Sequence, residues 1–199
     1  ISACLVGSEM CIRDRNQPGQ DAQPPMQSEE EASAVRAFYD RIVAYEFVRL
    51  DNYVLEYAAV QHYLNRYLPP PPARILDIGG GPGRYALLLA ERGYALTLLD
   101  LAPANVAWAN AQFAQRSLNA RAELGDARDL RRYADGTFDA ALLLGPLYHL
   151  SQRAAREQAI REARRVLRPG GLLFSMMLTL AAAIYEGFNR WPEGILQEA

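Results

Sequence analysis

The sequence contains no lysine, and all 21 of its basic residues are arginine. This absence excludes a lysine base and a lysine Schiff base as the chemistry of the chain. Cysteine is almost as scarce, because the only two, Cys4 and Cys11, lie near the amino terminus. A zinc site, a disulfide and a thiol nucleophile therefore have little support, and with no targeting signal in view we predict a cytoplasmic protein.

An excess of charge and a long apolar run are also missing. The net charge is −2 over 199 residues, which gives no electrostatic reason to expect nucleic acid or a membrane as a partner. The apolar run at residues 171–184 is too short to span a bilayer and too late to be a signal peptide. The arginines Arg128, Arg131 and Arg132 and those in residues 153–168 lack interleaved aromatics, so we expect solvated faces rather than an RNA track. We predict a small molecule as the partner, and the oligomeric state stays open.

The first fifteen residues fit neither helix nor strand periodicity. Residues 5–15 resemble one translated reading frame of a sequencing-library adapter, so we leave them out of the fold prediction. A native flexible amino terminus is the alternative. Met26 is then the expected native start, and the polar, proline-rich residues 16–33 are expected to be mobile.

Helical periodicity dominates from Ala34 to Tyr67. Apolar residues recur there every three or four positions in two stretches, which predicts two helices in front of the sheet. The helical region ends at Pro69–Pro72, since proline cannot continue a helix. The tyrosines of this region are expected to serve mainly in packing.

Beyond Pro72, short apolar runs alternate with helical stretches. This alternation predicts an α/β fold, namely a Rossmann-like, doubly wound and mostly parallel sheet. The predicted strands are 74–79, 95–100, 121–125, 139–145 and 172–178, and the predicted helices are 84–92, 103–116 and 152–167. The last helix should present one apolar face and stop at Pro169-Gly170-Gly171; that face consists of Ala155, Ala159, Ala163 and Val166.

The most informative segment is residues 75–83, ILDIGGGPG, in which an apolar strand reaches Asp77 and enters a glycine turn. Without side chains, such a turn lets a ligand approach the backbone closely. The next predicted strand ends in a second acid, Asp100. At the carboxyl edge of a parallel sheet this layout predicts a site for a nucleoside-containing cofactor. The glycines concerned are Gly79, Gly80, Gly81 and Gly83.

Five motifs in order, over about residues 35–180, resemble the class I S-adenosylmethionine-dependent methyltransferases, and most of all their small-molecule type 11/25 branch. Each motif alone is weak, whereas five at the right spacing are specific. They are Asp77-x-Gly79-x-Gly81-x-Gly83, Asp100, Gly125-Asp126-Ala127, Thr137-Phe138-Asp139 and the run from Arg165 to Gly171.

The resemblance implies S-adenosyl-L-methionine as the cofactor and a role for each residue. Asp77 would lie near its methionine end, and Asp100 would accept hydrogen bonds from the ribose hydroxyls. Leu101 would flank the adenine, while Asp126 would accept the adenine amino group beside the N–H of Ala127. The alternative for these acids is that they only cap helix N-termini.

Dinucleotide binding is a second alternative, because Gly81-Pro82-Gly83-Arg84-Tyr85-Ala86 satisfies the G-x-G-x-x-A pattern. A lone match of this kind is weak, and nicotinamide enzymes rarely carry an acid two residues before the first glycine. Asp139 is expected to be structural.

The acceptor side of the site is less defined. The segment Gly145–Leu150 follows the fourth predicted strand and should emerge beside the sulfonium; Gly145 is expected to contact the cofactor. Within it, His149 is a candidate base and Tyr148 a candidate acceptor-positioning group, with local structural roles as the alternative. From the front helices, which fold over the cofactor as a lid in related enzymes, Arg49 and Tyr39 are the expected contacts to the methionine carboxylate.

The resemblance also implies seven strands, of which we identify five. We therefore expect a carboxyl-terminal truncation and the division 1–33 leader, 34–72 helical lid and 73–199 incomplete cofactor domain. The predicted activity is in-line methyl transfer to a small-molecule oxygen, nitrogen or carbon acceptor. The alternatives are a fragment that binds cofactor without turnover and a nicotinamide-dependent oxidoreductase.

Overall fold

The computed structural model describes residues 29–177. The helices are α1 (Glu29–Asn52), α2 (Val54–Tyr67), α3 (Arg84–Glu91), α4 (Pro103–Gln115), α5 (Pro146–His149) and α6 (Arg153–Val166), and the strands are β1 (Arg74–Ile78), β2 (Ala95–Asp100), β3 (Ala120–Leu124), β4 (Phe138–Leu143) and β5 (Leu167–Ser175). The expectations for residues 5–15, for the leader and for the carboxyl-terminal tail lie largely or wholly outside the described residues. Within residues 29–177, no helix is long and apolar enough to cross a membrane.

The five strands form one sheet in the order β3-β2-β1-β4-β5, and every pairing is parallel. The predicted doubly wound α/β fold is therefore confirmed. The chain runs outward from β1 to β3 on one side and then returns to add β4 and β5 on the other. Between β1 and β4 the order reverses, and such a switch point is where open α/β sheets bind ligands at their carboxyl edge.

The sheet separates two hydrophobic cores, because successive strand residues point to opposite faces. Ile75 and Leu98 lie in the core covered by α2, α3 and α4, whereas their neighbours Leu76 and Leu99 lie in the core covered by α6. The predicted apolar face of α6 is confirmed, since four of its residues are completely buried: Ala155, Ala159, Ala163 and Val166.

The two predicted front helices are present, although α1 starts at Glu29, five residues before the predicted start. It carries a kink at Ile42 (φ −117°, ψ 15°) and is followed by α2 after Tyr53. α1 packs on α4 through the rings of Phe47 and Trp108, whose centroids are 5.7 Å apart. α2 packs on α3 through the rings of Tyr57 and Tyr85, whose centroids are 5.5 Å apart.

Two elements differ from the prediction. Residues 146–149 form the short helix α5 where a loop was expected. β5 begins at Leu167, not at Leu172, because Leu167 already pairs with Phe138 before the register resumes at Leu172 opposite Ala140. Residues 168–171 thus bulge opposite Asp139. This bulge contains Pro169-Gly170-Gly171, the segment predicted to end the preceding helix.

Candidate functional site

One cleft lies at the carboxyl ends of β1, β2, β3 and β4, beneath α1 and α2. It encloses about 1130 Å³, counting the part open to solvent. The structure brings all but one of the predicted site residues to its walls. These are Tyr39, Arg49, Asp77, Gly79, Gly80, Gly81, Asp100, Leu101, Asp126, Ala127, Gly145, Tyr148 and His149.

The glycine turn lies against β2 and shapes the floor of the cleft. The Gly79 N–H donates to the Leu99 carbonyl at 2.6 Å, with Gly79 in the left-handed region at φ 66°. At Gly80, a Cβ atom would lie only 2.6 Å from Oδ2 of Asp77. A side chain at this position would displace the acid, so the position of the buried carboxylate explains why residue 80 is glycine.

Gly83 is the exception among the predicted cofactor contacts. It is buried at the N-cap of α3 with φ 90°, outside the residues that line the cleft. A Cβ there would lie 3.3 Å from Leu98 and 3.4 Å from Ala109. These distances explain glycine at this position by the close packing of α3 on the sheet, and the contact of Gly83 with the cofactor stays a prediction.

Asp77 is almost completely buried, with 2% of its surface exposed. Its Oδ2 atom has no hydrogen-bond partner among the described residues. Burial, and secondarily the charge of Asp100, raises the pKa of the Asp77 carboxyl to about 7. A buried carboxylate oxygen without a donor is costly, and a cationic or hydrogen-bonding ligand in the cleft would relieve that cost.

Asp100 ends β2 and is held by three donors. Its Oδ2 accepts the Gly81 N–H at 2.8 Å, and its Oδ1 accepts the Ala102 N–H at 2.9 Å and the Asn105 Nδ2 amide at 3.1 Å. Burial raises the pKa of Asp100, and these hydrogen bonds oppose the increase. The capping alternative is partly realised, since Ala102 and Asn105 flank the start of α4, yet the carboxylate also faces the cleft.

Asp126 forms a close ion pair with Arg128. The Arg128 backbone N–H donates to Oδ1 at 2.8 Å, and its Nη2 donates to Oδ2 at 2.6 Å. The Arg128 side chain is only 14% exposed, so the expectation of a solvated arginine is wrong at this position. An adenine amino group would have to compete with this guanidinium for Asp126.

Arg49 reaches the cleft from α1 but already binds two carboxylates. Its Nε donates to Glu46 at 2.8 Å, and its two Nη atoms donate to Glu56 at 3.1 and 3.2 Å. A ligand carboxylate would have to compete with both acids for a bidentate contact. The predicted contact of Arg49 with the methionine carboxylate stays a prediction.

Tyr39 and His149 meet across the cleft. The Tyr39 hydroxyl lies 2.8 Å from Nε2 of His149, and the ring centroids of Tyr148 and His149 are 4.7 Å apart. Burial lowers the pKa of His149. Burial also raises the pKa of Tyr148 to about 12, and raises that of Tyr39 further. At neutral pH the imidazole is therefore neutral and both phenols keep their protons.

Some lining residues were missed by sequence reasoning. Tyr85 lines the cleft, and its buried hydroxyl has no partner among the described residues. Its position in the first turn of α3, directly after the glycine turn, was a signal that could have identified it. Glu46 and Glu56 gave no local signal, because they reach the site only through the packing of α1 and α2. No group of three or more His, Cys, Asp or Glu residues within 29–177 could hold a metal ion.

Comparison with known proteins shows which proteins the chain resembles. A family model described as a methyltransferase domain matches residues 75–171. The ubiquinone biosynthesis O-methyltransferase of Xanthomonas oryzae pv. oryzae (strain PXO99A) is 32% identical over 123 residues, covering 62% of this chain and 50% of the relative. The chain thus spans about half the length of the curated relatives it matches.

Solved structures give a similar result. A SAM-dependent methyltransferase from Methanosarcina mazei superposes with a TM-score of 0.53 at 30% identity, covering 57% of this chain and 55% of that one. The 4+2 cyclase SpnF superposes with a TM-score of 0.55 at 31% identity, covering 59% of this chain and 43% of that one. Through residues 75–171, and with its five-stranded parallel sheet, the chain is thus similar to the class I methyltransferases, whose cofactor is S-adenosyl-L-methionine.

Proposed function

We propose that the chain transfers a methyl group from S-adenosylmethionine to a small-molecule acceptor. The observation that carries this proposal is the convergence of Asp77, the glycine turn, Asp100 and Asp126 on one cleft. The unpartnered Asp77 oxygen and the missing side chain at Gly80 fit a ligand with a cationic end. Asp100 and Asp126 follow at the ends of the next two strands, where they can accept hydrogen bonds from the ribose and from the adenine.

The residue roles follow the order of the strands. Asp77 receives the charged amino end, Asp100 accepts from the ribose hydroxyls, and Leu101 flanks the adenine. The remaining contacts come from the adenine side and from the backbone of the turn: Asp126, Ala127, Gly79, Gly80, Gly81 and Gly145. Residues 34–72 serve as a lid, supported by the position of α1 and α2 above the cleft.

Catalysis demands chiefly alignment from the protein. When bound, the cofactor supplies a methyl group activated by its sulfonium. The chain contributes a fixed geometry for donor and acceptor, and such positioning can supply most of the rate enhancement. Tyr148 and His149 line the cleft where an acceptor can be placed and can orient its nucleophilic atom.

The acceptor atom we propose is oxygen. The Xanthomonas relatives are named O-methyltransferases, which supports oxygen over nitrogen or carbon. An acceptor of low molecular mass, with no nucleic acid involved, fits an enclosed cleft. A cytoplasmic site of action is also a proposal, to be tested by fractionating cells that express the full-length protein.

Two other functions compete with this one. A chain that spans half of its relatives could bind cofactor without turnover, and the cyclase among the structural neighbours warns that this fold hosts other reactions. Nicotinamide binding has only the G-x-G-x-x-A pattern in its favour. Against it, the carboxylate of the buried Asp77 beside the turn would face a negatively charged pyrophosphate.

Isothermal titration with S-adenosylhomocysteine and with NAD, beside a radiolabelled methyl-transfer assay, separates these functions. Tight binding of S-adenosylhomocysteine and transfer of label are expected. Binding without transfer would favour the cofactor-binding fragment. Tighter binding of NAD would refute the methyltransferase proposal.

A further inference from the structure

The contact between Tyr39 and His149 joins two distant parts of the chain inside the cleft. Tyr39 belongs to α1 and His149 to α5, 110 residues apart, and the hydroxyl lies 2.8 Å from Nε2. The two rings are nearly perpendicular, at 89° with centroids 5.4 Å apart. Both residues line the cleft. A polar contact between a lid helix and the sheet edge is therefore exposed to whatever the cleft binds.

The pair lies next to the glycine turn. α5 starts at Pro146, whose ring occupies the space that a side chain on Gly79 would fill. At the preceding position, a Cβ on Gly145 would lie 3.3 Å from the Gly79 carbonyl. The helix that carries His149 is thus packed directly on the turn that shapes the cofactor site, so an acceptor beside the pair is also beside the donor.

The protonation states suit the transfer of a proton. The lowered pKa of His149 keeps the imidazole neutral, and the raised pKa of Tyr39 keeps its phenol protonated, in each case chiefly because of burial. In the Nδ1–H tautomer of His149, Tyr39 donates this hydrogen bond and Nε2 accepts it, which is the arrangement that the transfer requires. The charged and titratable groups that act on Tyr39 are Glu46 and Arg49 of its own helix, Tyr148 of α5 and Asp100 at the end of β2.

We propose that Tyr39 and His149 form a two-residue proton acceptor for a hydroxyl substrate, phenolic or enolic, with an apolar body. The proposal rests on the proposed methyl transfer and names its substrate class and its base. It moves Tyr39 from the cofactor side of the site to the acceptor side. The apolar body is indicated by six lining residues: Ala32, Val35, Leu50, Leu144, Leu150 and Met176.

The proton balance is simple. The acceptor O–H bond breaks and its proton passes to the Tyr39 oxygen, while the Tyr39 proton passes to Nε2 of His149. Tyr39 ends as it began, and the imidazolium carries the added proton until water removes it. A phenol needs this assistance because it is a poor nucleophile while protonated, whereas a neutral amine attacks before it loses a proton.

A chromophoric probe tests proton acceptance without turnover. The 199-residue chain saturated with S-adenosylhomocysteine is titrated with 4-nitrocatechol, whose phenolate absorbs at longer wavelength than its phenol. The bound probe should ionise at a pH about one unit or more below that in Tyr39→Phe or His149→Gln. Tyr45→Phe is the matched control, because Tyr45 is on the same helix but 56% exposed and outside the cleft.

Turnover provides the second measurement. With a catechol acceptor, Tyr39→Phe and His149→Gln should each lower kcat by about a hundredfold. The double variant should be no slower than either single variant, because the two residues act as a unit. Affinity for S-adenosylhomocysteine should stay near that of the unmodified chain, which also shows that the variants fold.

The outcomes separate the two proposals. If the unmodified chain does not bind S-adenosylhomocysteine, the proposed function itself is overturned. Intact cofactor binding without binding of 4-nitrocatechol, or with identical ionisation in Tyr39→Phe, would overturn only the proton acceptor. Additive losses of kcat in the double variant would also overturn the proton acceptor.

Discussion

The backbone N–H of Gly81 donates to Oδ2 of Asp100 at 2.8 Å. This hydrogen bond ties the glycine turn after β1 to the acid at the end of β2. The two residues are 19 positions apart in the sequence, and the fold makes the two features one unit. Since the same carboxylate also accepts from Ala102 and Asn105, its position is fixed before any ligand arrives.

Asp100→Ala should therefore have two effects. Affinity for S-adenosylhomocysteine should fall by about 1–3 kcal/mol, because the ribose hydroxyls lose their acceptor. The free energy of unfolding should also fall, because three protein donors lose theirs. Titration calorimetry and urea denaturation measure the two quantities. Asp139→Ala is the control, since Asp139 binds Arg74 and Arg168 away from the cleft, and this variant should lose stability alone. If Asp100→Ala binds S-adenosylhomocysteine as tightly as the unmodified chain, Asp100 does not hold the ribose.

Asp77 should make ligand binding and stability depend on pH. Its folded pKa of about 7 lies above the usual value of about 4, so between these limits the folded chain holds a proton that the unfolded chain has released. Stability from this group therefore falls as pH rises through that window and then levels off. A cationic ligand favours the ionised form, so its affinity should rise over the same range.

Calorimetry at about pH 6 and about pH 8 measures that rise, which should be at most roughly tenfold for S-adenosylhomocysteine. Asp77→Asn has the same shape without the charge. In this variant the affinity should be lower and nearly independent of pH, and the unfolding free energy above pH 7 should be higher. An equal pH dependence in both proteins would assign it to another group.

Gly80→Ala should weaken cofactor binding by displacing a neighbour. The added Cβ would meet Oδ2 of Asp77 at 2.6 Å and Leu98 at 2.9 Å, and overpacking of this kind costs about 1–3 kcal/mol of stability. Gly136→Ala is a comparison far from the cleft, where φ is 67° and the nearest atom would lie at 3.6 Å. Both variants should unfold more easily, but only Gly80→Ala should bind S-adenosylhomocysteine more weakly. An equal loss of affinity in the two variants would show that binding does not depend on the position of Asp77.

Arg128→Ala should strengthen the binding of S-adenosylhomocysteine. Removal of the guanidinium frees the Asp126 carboxylate for the adenine amino group, and an ion pair of this kind is worth about 1 kcal/mol, or roughly fivefold in affinity. The chain contains its own control, because Arg131 pairs with Asp129 at the same spacing at a solvent-exposed position. Arg131→Ala should leave affinity unchanged, and a weaker complex with Arg128→Ala would mean that Arg128 itself contacts the ligand.

The sequence predicted those features that depend on local pattern. Apolar runs that end in acids placed Asp77 and Asp100 at strand ends, and the four-residue alanine spacing identified the buried face of α6. It could not predict contacts between elements far apart in the chain. The Arg49 pair with Glu56 and the Tyr39 contact with His149 depend on how α1 lies over the sheet. Likewise, the bulge at residues 168–171 depends on the register against β4, which no local signal specifies.

The contact between Pro146 and Gly79 has a kinetic consequence. The wall of the acceptor region and the floor of the donor region touch at a point where neither has a flexible side chain to yield. The two regions therefore cannot shift independently of each other. We expect a substitution at either position to change the KM of the donor and the KM of the acceptor together.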